Sequence, residues 1–264
     1  MLPLYQLVLN LVGQTNNVLD MYHGDAMYYR TILGWGGEKG RDGEIAQWSY
    51  SLHLYVYCEE WEKATEMYTK LIDVDIAYLK SFPMWHCRIF FFALVAMHNA
   101  RYSKGLKRVR YMLQVKKHMN HIRTWVVQRK AINLVHKLHL LEAVELTLKH
   151  RQYPSDEILI NAFNPVIVYA SKAGFFQDAA LAASLAAQTI QNSVRQLDYA
   201  CLAQQGYKKW GATGVAKHLE ETSQLHSQAA AQSEQILGGK FMGAWRGKER
   251  LRSLSTRILP ELQM

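Results

Sequence analysis

The chain has 264 residues, 49% of them apolar, with only five prolines, a profile that excludes a disordered polymer and leaves enough length for a sizeable core. Three widely spaced cysteines, Cys58, Cys87 and Cys201, contain no Cys-x-x-Cys and exclude a disulfide framework or a zinc ribbon, which fits a reducing, cytoplasmic setting. Net charge is +9, and thirteen of the 31 basic residues fall between Arg101 and Arg151 against only Glu142 and Glu145, so the excess is a patch rather than a uniform coat.

The N-terminal "MLPLYQLVLNLVGQ" has no basic leader, and Gln6 and Asn10 interrupt it, so it reads as a helix over 3–20 and not as a signal peptide. Next comes "GWGGEKGRDG", 34–43, whose five glycines with Lys39 and Arg41 resemble a phosphate cradle. No strand precedes it and no Lys-Ser/Thr closes it, so the expectation is an exposed loop anchored by Trp35, with Lys39 solvated. Apolar residues then recur at three and four positions, predicting helices at 44–57, 60–80, 84–99, 102–119, 122–137, 139–150, 165–173, 176–191, 195–210 and 213–237, with no strand pattern anywhere. Within them, Glu59, Glu60, Glu62 and Glu66 read as the solvated face opposite Ala64, Met67, Tyr68 and Leu71. "IFFFALVAM", 89–97, falls well short of the ~20 residues that a membrane span needs. Pro83 separates two helices, Asn164-Pro165 reads as an N-cap followed by proline at the first helical position, and Gly174 suits a left-handed closing turn.

Self-similarity organises these helices. Trp48, Tyr55, Ala64, Tyr68 and Leu71 follow the tetratricopeptide spacing of large and small residues. Forty-one residues on, Ile89, Ala96, Gly105, Val109 and Met112 repeat it, with Ala93 as an additional small residue. Ala131, Leu134 and Ala143 form a weaker third copy. Ala64, Gly105 and Ala143 are expected to let each second helix approach its partner. The predicted class is all-α: tetratricopeptide-like antiparallel helix pairs in a right-handed solenoid. It divides into N-terminal helices and a glycine-rich loop (1–43), the repeats (44–221), and a C-terminal helix with a basic tail (222–264).

Chemistry-bearing constellations are sparse. His118 and His121, and His136, His139 and Glu142, have helix-face spacing, yet neither set supplies three converging ligands, so no metal is expected. No nucleophile motif stands out, and the chain reads as a non-enzyme without a cofactor. In the basic stretch, Gly105, Val109 and Met112 point one way by the 100° rule, while Lys104, Lys107, Arg108 and Arg110 fall around the other side. A solvated outer face, an acidic protein partner, anionic lipid and nucleic acid would each use such charges, and Tyr102, Tyr111 and Trp125 could stack on bases. Lys104, Lys107, Arg108, Lys116, Lys117, Arg123, Arg129 and Lys130 are the residues expected to select an acidic partner. A helical-repeat RNA binder using the same stretch is the alternative. Near the C-terminus, Arg250 and Arg252 precede Ser253 and Ser255 at kinase-like spacing, and Phe241, Met242 and Trp245 sit beside Lys240 and Arg246 in what reads as a loosely docked tail.

One resemblance is more definite. "YASKAGFFQDAALAASLAAQTIQ", 169–191, and "DYACLAQQGYKKWGATGVAKHLEE", 198–221, carry an Ala-Gly-Phe before an alanine-rich helix. Tyr199, Ala203, Tyr207, Trp210-Gly211-Ala212, Lys217 and Leu219 follow. This resembles the helical-repeat region of large predicted-ATPase signalling proteins, which carry an ATPase module before the repeats and sensor or kinase modules after them. The likeness is strongest over about 169–221, and Gly206 and Gly214 depart from it. It implies a scaffold in signal transduction, a fragment or paralogue of such a protein, with Trp210 and Gly211 as repeat-packing residues. The G-x-x-x-x-G-K-[ST] and kinase signatures of the family's catalytic modules are absent from the sequence.

Overall fold

The computed structural model describes residues 2–22, 38–74, 83–149 and 153–223, and every regular element among them is helical. Helix α1 (Leu2–Leu11) is half the expected length. The Asn10 amide donates to the carbonyls of Val18 (2.8 Å) and Asp20 (3.0 Å), which folds the following segment back after a left-handed Gly13 (φ 73°). α2 (Glu38–Tyr57) starts inside the glycine-rich stretch, so 38–43 are helical and not loop; 34–37, including Trp35, lie outside the described residues. Each interior glycine costs a helix about 1 kcal/mol, which the core-facing Ile45, Leu52 and Val56 outweigh.

A turn through Glu59 (φ 62°) leads to α3 (Trp61–Leu71), and Pro83 opens α4 (Pro83–Tyr102), where its missing N–H has no helical partner to lose. α5 (Gly105–Arg123) runs into a π turn, Thr124–Gln128, and a 3-10 turn, Ile132–Leu134, precedes α6 (Val135–Lys149). The helix expected at 122–137 is therefore broken, because Lys130 takes a left-handed φ of 56° there. α7 (Asp156–Lys172) passes straight through Asn164-Pro165, so Asn164 is no N-cap. Its side-chain oxygen instead accepts from the Tyr199 hydroxyl at 2.6 Å. Gly174 (φ 82°) closes α7 as expected. α8 (Phe176–Thr189) and α9 (Ser193–Trp210) follow, the latter capped by Asn192, whose oxygen accepts from Val194 and Arg195 N–H at 3.1 Å. Gly211 (φ 92°) ends α9, and the last described helix, α10, occupies 213–223. The tail beyond 223 lies outside the described residues.

Each helix from α1 to α9 packs on the next, and α2, α4, α6 and α8 also touch in succession. Three of those four carry runs buried all round: 51–58, 88–97 and 178–186. A surface helix buries one stripe, so these are interior helices. Neighbouring protein therefore surrounds these runs among the described residues. Tyr55, Ala64, Tyr68, Ala93 and Ala96 are buried, with Trp48 and Trp210 packed against the core's edge. Gly105 is not a packing residue: it is exposed at φ 56°, and a Cβ there would meet nothing within 4 Å.

Two other glycines do the close packing. A Cβ on Gly206 of α9 would lie 2.8 Å from the Ala180 Cβ of α8, and one on Gly214 of α10 would lie 2.2 Å from the Asn10 carbonyl oxygen. The second approach joins the two ends of the described chain. Thr213 donates to the Val12 carbonyl at 2.8 Å, Tyr57 packs edge-on against Tyr207, and the Trp61 Nε1 donates to Gln188 at 3.0 Å.

Candidate functional site

The basic stretch becomes α5 and the turns after it. By the 100° rule, the buried face of α5 centres on Val115, His118, Met119 and Ile122. That register is rotated from the expected one: Val109, assigned inward from its repeat spacing, is 54% exposed. The repeat pattern misplaced it because it carried the inward positions of α3 forward by 41 residues onto a helix whose packed face lies elsewhere.

Lys104, Lys107, Lys116, Lys117, Arg129 and Lys130 are exposed. Lys104 stands at the N-cap of α5 in extended backbone, and Arg129 and Lys130 ride the break after the π turn. Arg108 is different. It is half-buried and donates from Nη1 to the Ala100 carbonyl (2.8 Å) and from Nη2 to the Leu148 carbonyl (3.0 Å), tying together the ends of α4 and α6. Arg123 is exposed but pairs with Glu142 at 3.2 Å, which leaves less of its charge for a partner. Six of the eight expected residues thus remain as displayed cations, with no ion pair among the described residues. The stacking set does not assemble: Tyr102 is exposed, Tyr111 half-buried and Trp125 buried between His86 and His121.

Sequence spacing also missed what lies between the cations. Leu106 is 80% exposed and Leu113 62%, and with Val109 they form an i, i+3, i+7 row opposite the buried face. Arg110 and Lys117 flank one side of that row and Lys116 the other, by the same helical projection. No Asp or Glu occurs between Asp75 and Glu142. The aliphatic spacing was available as a signal, but any apolar row on a helix is first read as core.

The histidine sets do not converge either. His118 is buried with neither ring nitrogen hydrogen-bonded, whereas His121 and His139 are exposed. Burial, and then the charge of Lys117, lower the His118 imidazole to about 3. No group of three His, Cys, Asp or Glu suited to a metal occurs among the described residues.

A buried ionic cluster sits where α4, α6 and α8 meet. The Asp178 carboxylate lies 2.7 Å from the His136 Nε2 and accepts from the Lys137 ammonium at 2.5 Å, and Lys137 sits 4.5 Å over the Phe90 ring. Phe175 stacks on His136 with ring centroids 4.2 Å apart. Burial alone would raise the Asp178 carboxyl. The Lys137 charge and the His136 hydrogen bond oppose that and hold it below the usual carboxylate value. Nearby Cys87 is pushed up by burial and is therefore held as an unreactive thiol. With Asp178 and His136 each about 1% exposed, the cluster joins helices inside the body and offers no face to a substrate. Its sequence signal was a lone aspartate inside an alanine-rich helix.

The expected solvated face of α3 holds for Glu62 and Glu66, but Glu59 accepts from the buried Ser184 of α8 and Glu60 lies 3.3 Å from His218 of α10. These two carboxylates join the start of α3 to α8 and α10. No helix among the described residues is long and apolar enough to cross a membrane. No protein-family model, curated protein or solved structure matches the chain.

Proposed function

We propose that the chain is a non-catalytic interaction segment, built of tetratricopeptide-like helix pairs, that captures an acidic protein partner on the outer surface of α5. The succession of α2, α4, α6 and α8, each contacting the next while its own second helix lies outside, supports the helix-pair reading. The function rests mainly on one observation: Lys104, Lys107, Lys116, Lys117, Arg129 and Lys130 are exposed in a stretch whose only carboxylates in sequence are Glu142, paired with Arg123, and Glu145. Such a field attracts and orients an anionic partner, and its strength falls as salt screens it.

A scaffold role beside a signalling ATPase or kinase, in the cytoplasm, accords with the likeness over 169–221. The RNA-binding alternative loses support from the separation of Tyr102, Tyr111 and Trp125, since single-strand binders need aromatic faces lined up along one groove.

The test is a salt titration of binding to a polyglutamate peptide, with Lys104, Lys107, Lys116 and Lys117 each changed to Glu in one variant. The wild-type chain should bind at low salt and release as salt rises, and the variant should bind about tenfold more weakly or less. Equal binding by both proteins overturns the proposal. Tighter retention of single-stranded RNA than of polyglutamate at matched salt favours the alternative.

A further inference from the structure

The aliphatic row on α5 narrows the kind of acidic partner, an inference that rests on the acidic-partner reading above. A site that works by charge alone gains nothing from exposed leucines. Single exposed apolar side chains are ordinary, but Leu106, Val109 and Leu113 are aligned on one helix face and bracketed by Arg110, Lys117 and Lys116. The outward face of α3, by contrast, is fully polar, with Glu62, Lys63, Glu66 and Lys70 exposed and ion pairs at Lys63–Glu60 (3.1 Å) and Lys70–Glu66 (2.6 Å).

We infer that the Leu106–Val109–Leu113 face of α5 docks an amphipathic α-helix of a partner protein, whose apolar i, i+3, i+7 positions pack on that row while flanking Asp and Glu meet Arg110, Lys116 and Lys117. Spacing and charge both support this occupant. The row spans two helical turns, about 10 Å, the contact length over which two helices pack face to face. The bracketing cations repel a second copy of the same face, which disfavours self-association through it, and they fit carboxylates at the rim of a helical ligand.

The experiment uses the full chain and two synthetic probes: polyglutamate, and a designed helix with leucine at i, i+3, i+4 and i+7 and glutamate at the remaining positions. Leu106, Val109 and Leu113 are changed together to Ser; because all three are exposed, circular dichroism and melting should match the wild type. The wild type should bind the amphipathic helix about tenfold or more tightly than polyglutamate, and the serine variant should lose that advantage while still binding polyglutamate. Equal binding of the amphipathic helix by wild type and serine variant overturns the inference and leaves the acidic-partner reading standing. Failure of both probes to bind at low salt overturns both. Binding to phosphatidylserine vesicles that depends on the three residues, with no binding of the helical probe, replaces the protein partner with a membrane surface and also overturns the inference.

Discussion

His118 is 2% exposed, its ring meets Phe92 edge-on at 5.6 Å, and neither nitrogen has a partner. Its folded pKa of about 3 lies below the ~6.5 of a free imidazole. Between those values the unfolded chain takes up a proton that the folded chain refuses. The associated stability is therefore complete above pH ~6.5 and falls as the pH drops toward 3, by about 1.4 kcal/mol per pH unit. Buried His53, also lowered to about 3, chiefly by burial, adds a second such proton. His118→Leu should leave stability at pH 7 equal or higher and remove about one proton from the pH slope, as read by urea unfolding at pH 7, 6 and 5. An unchanged slope would show that His118 is protonated in the fold. Asp178 acts lower on the scale: its pKa is depressed, so its contribution is complete above the ordinary carboxylate pKa and is lost only as pH falls through the folded value.

Among the elements, α8 and α9 show how composition becomes packing. The alanine run of α8 was visible in the sequence, but Gly206 read only as a departure from the helical pattern. Its meaning lies across the interface, 2.8 Å from the Ala180 Cβ that a methyl group at 206 would strike. Gly206→Ala would gain about 1 kcal/mol of helix propensity and lose about 1–3 kcal/mol to overpacking, so net destabilisation is expected, measured as a lower denaturant midpoint. A higher midpoint would mean that the two helices can slide apart freely. α5 gives the reverse lesson. Its helical period was read correctly, but its phase was wrong, because a 41-residue repeat carried the inward positions of α3 onto the outward positions of α5. Periodicity in one helix cannot say which of two apolar rows has a neighbour to bury it.

At the scale of the whole molecule, the first and last described helices meet through Gly13 and Gly214. A Cβ at 214 would lie 2.2 Å from the Asn10 carbonyl oxygen and 2.9 Å from the Gly13 Cα, both backbone atoms with no rotamer in which to escape. Gly214→Ala should cost about 2–3 kcal/mol and raise hydrogen exchange in both α1 and α10, two elements some 200 residues apart in sequence. Exchange raised in α10 alone would show that the joint is not a shared unit. The Glu59–Ser184 hydrogen bond and the Trp61–Gln188 hydrogen bond, the latter at 3.0 Å, likewise tie an early segment, the start of α3, to α8 late in the chain. With the runs 88–97 of α4 and 178–186 of α8 buried all round, the candidate surface lies on the exposed side of α5 instead.

The sequence by itself determined that the chain is helical, where most of its helices lie, and that positive charge gathers in one stretch, since all three follow from local periodicity and composition. Tertiary structure decided which cations stay exposed, which is spent on carbonyls of α4 and α6, and which aliphatic row of α5 faces outward. It also decided that Asp178 meets Lys137 and that Gly214 meets Asn10. The last two contacts join residues 41 and 204 positions apart, and the free energy of such a contact is not written in the neighbourhood of either partner.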